Sequence, residues 1–321
     1  MKEQHLATRR AAGLFDFSFM SLCEISGSGA VSFLERLQTR SLAALAPGQI
    51  AYTLLLREDA AVFIDATLWR HADGRWWLFT GRRSDVAWII HHAAGFDVRV
   101  RERCGEFAIL ALQGPASGRA LSQLIGEPPT RSLRYFRFLE TNFRSTRIHV
   151  GRLGFSGELG YEILLSPSEA STVRKDLVGQ AIVECGFEAA NSLRIESGYV
   201  LFDREITGRE NPLELGLERL VNLGGRDFIG RQAFSALRRS PTARRLVGLE
   251  ISDRSASPLL PLARPTSECD SPIFRRRIGL GFTNAQNSDG SAVRLADGRL
   301  ATIARLPFYD AARRLPREAS I

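Results

Sequence analysis

The chain has 321 residues, 44% hydrophobic and 24% charged, with a formal net charge of +8. That length supports two or three domains, while no apolar window approaches the ~20 residues of a membrane helix and no basic-then-apolar run opens the chain, so a cytoplasmic protein without membrane association is expected. The basic excess favours anionic partners, but the arginines at 275 to 277 and at 313 and 314 are too short and scattered a pattern for nucleic acid, which is excluded as a partner.

Metal and redox chemistry are disfavoured on spacing. Cys23, Cys104, Cys185 and Cys269 form no C-x-x-C pair, and His5, His71, His91, His92 and His149 give no H-E-x-x-H. Reduced, mostly buried thiols and no metal site are expected.

Early in the chain, "SGSGAVSFLERLQTR" predicts a helix with Ser28 as N-cap and Val31, Phe33, Leu34 and Leu37 on its apolar side. Short β-branched and aromatic runs follow: "AYTLLL", "AVFIDATLW", "RWWLFTG", "FAILALQ", "TRIHVGRL" and "YEILL". Antiparallel sheets with helices packed against them, an α+β architecture, are the expected result. Neither G-x-G-x-x-G nor the phosphate-binding loop G-x-x-x-x-G-K-[ST] occurs.

Two of the strands contain an acid. Asp65 lies between Val62-Phe63-Ile64 and Ala66-Thr67-Leu68-Trp69, where an ionised carboxylate needs a hydrogen bond, an ion pair or a ligand. Glu162 lies in "RLGFSGELGYEILL"; if 160 to 165 is a strand, Tyr161 and Ile163 share one face and Glu162 shares the other with Leu164. Two readings stay open for Glu162. It is an exposed edge-strand residue after a Gly-rich hairpin, or it offers two oxygens to a flat ligand with adjacent N–H donors, such as a pterin. In the second reading the glycines at 154, 157 and 160 let the backbone approach that ligand.

After Glu162, "SPSEASTVRKDLVGQAIVECG" predicts a helix with Ser166 as N-cap, Pro167 at its first position, Glu169 completing a capping box, and Val173, Leu177 and Ala181 on one side. Beyond residue 241 the texture changes to short strands ("LVGLEI", "RIGLGF", "AVRLA", "ATIARL") and Ser- and Pro-rich turns such as "SASPLLPLARPTSECDSP". The chain is thus divided into 1–240 and a smaller antiparallel barrel, 241–321.

Eight segments in order, from "FDFSFM" through "PGQIAYTLLL", "ALQGP", "RLGFSGELGYEI", "NSLRIESGYVLFDREI", "NPLELGLE" and "DFIGRQAF" to "TSECDSPIFRRRIGLGF", resemble the T-protein of the glycine cleavage system and the related tetrahydrofolate-dependent aminomethyltransferases. The resemblance implies a three-lobed disc, with two entwined ferredoxin-like sub-domains and a C-terminal β-barrel around a central folate channel. It implies that Asp65 stands beside the reacting nitrogens of tetrahydrofolate as the catalytic acid. It further implies that Glu162 grips the pterin, that Phe155 packs on it, that Met20 and Tyr52 line the channel, and that Tyr309 corresponds to a C-terminal tyrosine of the family.

The implied activity is transfer of an aminomethyl or methyl group from a small amine or a carrier-bound donor to tetrahydrofolate, with an acidic carrier protein as a possible partner. Asp65 would then orient the folate nitrogen and steady positive charge developing there. The alternative is a non-catalytic folate-binding protein of the same fold; the K-G-C-Y-x-G-Q-E type of segment usual in the relatives linked to iron–sulfur cluster maintenance is "SGYVLFDREITGRENP" here. Other positions depart from the T-protein pattern. The usual Ser-His-Met is Ser18-Phe19-Met20, one acid of a double aspartate is Ile64, an asparagine is Thr80, and the folate-binding arginine is Ala190, one turn before Arg194.

Overall fold

A computed structural model describes residues 1–252 and 264–318. The first sheet takes its strands in the spatial order Ile50–Leu56, Val62–Arg70, Trp76–Thr80, Ser21–Ser26 and Arg99–Glu102, all antiparallel. The second runs Val183–Cys185, Gly13–Asp16, Ala108–Gln113, Gly160–Leu165, Thr146–Gly151 and Phe138–Phe143, antiparallel except for its first pair. The chain therefore lays one strand in the second sheet, completes the first, and only then returns.

Alternation along the strands explains how the sheets stack. In Val62–Arg70 the residues Ile64, Ala66 and Leu68 face the helices Ala30–Leu37 and Asp85–His91, while Trp69 points the other way. In Gly160–Leu165, Tyr161 and Ile163 pack under the helices Ser117–Ile125 and Pro167–Gly179, and Leu164 faces inward. The inner faces meet in a layer that holds Phe15, Trp69, Trp77, Phe79, Ile109 and Leu164, so the order is helix, sheet, sheet, helix. Trp69 and Trp77 are at most 1% exposed, and burying a ring of that size is worth on the order of 4–6 kcal/mol before entropy is counted.

The third sheet orders Arg264–Ser271, Arg276–Asn284, Arg244–Ser252, Leu300–Ala304 and Ala292–Arg294, all antiparallel. Among the described residues its end strands do not pair with each other, and no closed barrel is found there. Much of the expected Ser- and Pro-rich turn after residue 252 lies outside the described residues. The helix Phe187–Glu196 joins this sheet to the rest, with Ile195 packed on Ile278 and Leu280.

Several local expectations are corrected. The first predicted helix begins at Ala30, Val31 is 48% exposed, and Ala30 takes its place on the buried side; the Ser28 hydroxyl bonds to Asp97. The capping box at Ser166 does not form. The helix does start at Pro167, but the Ser166 hydroxyl bonds to the Ser168 hydroxyl at 2.7 Å, and Ala181 sits exposed in the turn beyond the helix. All four cysteines are free, yet only Cys23 is fully buried. Among the described residues no cluster of three or more His, Cys, Asp or Glu fits a metal ion.

Candidate functional site

Asp65 sits mid-strand opposite Leu54, with Tyr52 as its diagonal neighbour, and its side chain lies on the face turned away from the helices. The Tyr52 hydroxyl donates to its Oδ2 at 3.0 Å. Among the described residues no arginine pairs with it: the nearby Arg82 is held by Asp85 at 3.0 Å and Asp203 at 2.9 Å. Burial pushes Asp65 up to about 6, against the pull of the Tyr52 hydrogen bond. The same pair drives the Tyr52 phenol well above its ordinary value, first through burial and then through the Asp65 charge.

Glu162 is in an interior strand, between Ala108–Gln113 and Thr146–Gly151, directly opposite Ala111 and Gly151. That rules out the edge-strand reading. It is 9% exposed and faces the layer between the sheets, on the same side as Leu164. No described side chain or backbone group donates to its carboxylate, and burial alone pushes it up to about 7. An acid in that setting is stabilised by proton uptake or by an incoming donor.

The glycines before it do a different job from the one expected. A Cβ on Gly154 would lie 1.9 Å from Gln113 Oε1, and one on Gly160 would lie 2.4 Å from the same amide. They make room for Gln113, which accepts a hydrogen bond from the Ser156 hydroxyl at 2.9 Å and so fixes the loop. Gly157 has φ +80 and faces Ser197 in the same way.

Met20 and Phe155, both half-buried, pack on the intersheet layer that Glu162 faces. The Phe155 ring stacks on Tyr199 at 6.1 Å and 21°. The Tyr199 phenol in turn adds to the upward push on the Tyr52 phenol. Tyr309 is placed differently. Its ring carries the Arg9 guanidinium at 3.8 Å, and Arg9 bonds Glu158 at 2.9 Å and Glu196 at 2.8 Å. Tyr309 is therefore built into a charged network at the rim.

Three substitutions resolve structurally. Phe19 is 44% exposed and packs edge-on against Phe17 and Phe187. The Thr80 hydroxyl pairs with Ser21 at 2.6 Å. Ala190 is 3% exposed within the intersheet layer. Arg194 does not reach the site in its stead, because it is fully buried in an ion pair with Glu205 at 2.6 Å and donates to Ser267 at 2.5 Å. Tyr199, which stacks on Phe155, and Arg313, whose guanidinium lies over the Tyr199 ring, also border the site, and the sequence marks neither by local pattern.

A cleft of about 260 Å³ lies elsewhere, over Phe33, Leu37 and Phe96 on the outer helices. Its Arg36 is already paired with Asp227 at 2.8 Å. It contains neither buried acid.

Comparison with known proteins bears on this arrangement. The profile of the GCVT N-terminal domain matches residues 1–225. Aminomethyltransferases of Rubrobacter xylanophilus and Bacillus subtilis are 33% and 30% identical, each across 96% of this chain and across 86% and 91% of their own lengths. The crystal structure of glycine cleavage system aminomethyltransferase T from Bartonella henselae superposes with a TM-score of 0.86 at 30% identity, covering 96% of this chain and 89% of that one. Among the described residues no helix is long and apolar enough to cross a membrane.

Proposed function

The chain belongs to the aminomethyltransferase family, that of the glycine cleavage T-protein, and we propose that it transfers a one-carbon unit from a small amine or a carrier-bound donor to tetrahydrofolate. One observation supports this reading above the others: Glu162 is a buried carboxylate with no partner among the described residues. A tetrahydropterin fits it, since two adjacent N–H groups would satisfy both oxygens. Phe155 and Met20 would supply apolar contact for the ring.

When bound, tetrahydrofolate supplies the nitrogen that receives the carbon. The protein's part is to position and to shield. Asp65, which burial pushes up to about 6, is mostly ionised at neutral pH, and the Tyr52 hydroxyl donates to its Oδ2. A fixed anion in a water-poor setting steadies positive charge as it develops on a neighbouring nitrogen. Glu162 binds, Asp65 acts, and Tyr52 orients Asp65.

The test is a fluorescence titration of tetrahydrofolate with the wild type, Glu162→Ala and Asp65→Asn. Glu162→Ala is expected to weaken binding by at least about tenfold, the worth of a charge-assisted hydrogen-bond pair. Asp65→Asn is expected to retain most of the affinity and to lose turnover. Equal affinity in all three proteins would refute the assignment, and tight binding without turnover in the wild type would favour the non-catalytic alternative.

A further inference from the structure

The strand that carries Asp65 changes face just before the acid. Val62 pairs with Leu56 and packs with Leu54 and Leu56 in one apolar cluster, whereas Ile64 pairs with Leu55 and packs with it in another, against the helices. Strict alternation would put Val62 and Ile64 on the same side. Phe63 is the extra residue between them, a β-bulge, and it sends them to opposite faces. Asp65 takes its facing from that bulge, because a slip of one residue turns a side chain to the other side of the sheet.

We propose that Arg82 is a positioning residue that pins this bulge and so holds Asp65 toward the ligand, an inference that rests on the folate reading of Asp65.

The neighbouring strand does not reach the bulge. Pairing between Val62–Arg70 and Trp76–Thr80 stops at Ala66 opposite Thr80. Arg82, two residues past the end of that strand, takes over where the ladder stops. Its Nη2 donates to the Phe63 carbonyl at 3.3 Å, its Nε to Asp85 Oδ1 at 3.0 Å and its Nη1 to Asp203 Oδ1 at 2.9 Å. Its guanidinium carbon also lies 5.6 Å from the centre of the Phe63 ring. A planar fork holds three acceptors at fixed angles, which a compact ammonium on a flexible stem does not. Arg57 is equally far from the same ring, but a ring contact does not fix a backbone carbonyl.

The two carboxylates anchor Arg82 from opposite sides. Asp85 is buried at the start of the helix Asp85–His91, and Asp203 lies exposed in the loop after the helix Phe187–Glu196. That loop also docks beside Arg82, since a Cβ on Gly81 would lie 2.3 Å from the Phe202 ring. It begins near Tyr199, which stacks on Phe155. Arg82 therefore ties the bulge before Asp65 to the segment that borders the Glu162 layer. The charged and titratable groups acting on Asp65 are Tyr52, Asp85 and Arg82, while Tyr199 and Arg219 act on Tyr52. Without Arg82 the charge of Asp85 remains, and it opposes ionisation of Asp65.

The experiment reads the bulge and the acid separately, in wild type, Arg82→Gln, Arg82→Lys and Asp203→Asn. In the ligand-free protein, hydrogen exchange across 62–66 is expected to speed up about tenfold in Arg82→Gln, with little change across 160–165. Turnover with tetrahydrofolate is expected to lose about tenfold in kcat with KM within about twofold, and the acid limb of kcat to move up by about half a pH unit. Arg82→Lys keeps the charge without the fork, so it should return the acid limb to its place while kcat stays low and 62–66 still exchange fast. Should Arg82→Gln fail to fold, Arg82→Lys carries the comparison. Asp203→Asn removes only the exposed anchor and is expected to cost less than about threefold in kcat. Unchanged exchange across 62–66 in the Arg82 variants overturns the proposal. So does an equal loss in kcat and in tetrahydrofolate affinity with the acid limb in place, which a general structural loss would produce. A wild type that binds tetrahydrofolate without turnover refutes the reading of Asp65 alone, and the exchange across 62–66 still decides whether Arg82 pins the bulge.

Discussion

Two sets of buried acids in this molecule meet opposite fates. Glu196 and Glu205 are both 0% exposed and both answered from within. Glu196 accepts from Arg9 at 2.8 Å and the Ser271 hydroxyl at 2.5 Å, with His5 at 3.2 Å, and these partners hold it below its ordinary pKa although burial pushes it up. Glu205 accepts from Arg194 at 2.6 Å, the Ser267 hydroxyl at 2.7 Å and the Leu201 N–H at 3.0 Å. Glu162 is nearly as buried with no partner, and Asp65 has a single phenol; burial lifts them to about 7 and about 6. The paired acids tie the helix Phe187–Glu196 to the N-terminal helix Lys2–Arg10 and to the third sheet. Glu162 faces the layer between the sheets, while Asp65 lies beside Tyr52 and Leu54 on the first sheet. The difference teaches that burial alone does not mark a functional acid; burial without internal compensation does.

The largest effect is expected where compensation is removed. Arg194→Met deletes the guanidinium while roughly keeping the volume, and leaves Glu205 buried with only hydroxyl and amide donors. A loss of about 3–5 kcal/mol is expected in guanidinium or urea denaturation, the range for stranding one partner of a buried ion pair. A loss below about 1 kcal/mol would show that this fold tolerates uncompensated acids, and the isolation of Glu162 would then say little about a ligand.

A smaller effect of opposite sign is expected at Glu162. Its folded pKa of about 7 lies above the model-peptide value of 4.5, so the folded state disfavours its charge. The associated penalty is absent below pH 4.5, grows as pH rises between the two values, and is complete above 7. Glu162→Gln keeps the shape and removes the charge, so it should stabilise the protein by about 2–3 kcal/mol at pH 8 and by little at pH 4. Equal effects at the two pH values would mean that an internal donor satisfies the carboxylate, and would erase the contrast with Glu196.

How far this was legible in the sequence differs by scale. Each quoted strand run forms a strand, because period-two alternation and β-branched composition are local signals. Asp65 and Glu162 were visible for the same reason, as polar intrusions in apolar runs. Side-chain partners were not visible, because they come from distant segments. Arg194 looked available on helix spacing until its Glu205 and Ser267 partners arrived from 11 and 73 residues away. The glycines of "RLGFSGELG" were legible as close-approach positions, but Gln113, the group approached, lies about 40 residues upstream in another strand.

The smallest predicted effect is the one that ties the unpaired acid to its ligand. If two N–H donors bind the ionised carboxylate, a protonated Glu162 must first release its proton, and the apparent affinity follows its ionised fraction. With a pKa of about 7 that fraction falls from about nine-tenths at pH 8 to about one-tenth at pH 6, so tetrahydrofolate should bind about tenfold more weakly at the lower pH. Asp65, at about 6, adds at most about a factor of two over the same interval, and Asp65→Asn should remove only that factor. Glu162→Gln should remove the tenfold part while weakening binding at both pH values. An affinity flat from pH 8 to 6 in the wild type would mean that the ligand meets a carboxylate already ionised, which without an internal cation requires the acid to be better hydrated than its 9% exposure implies.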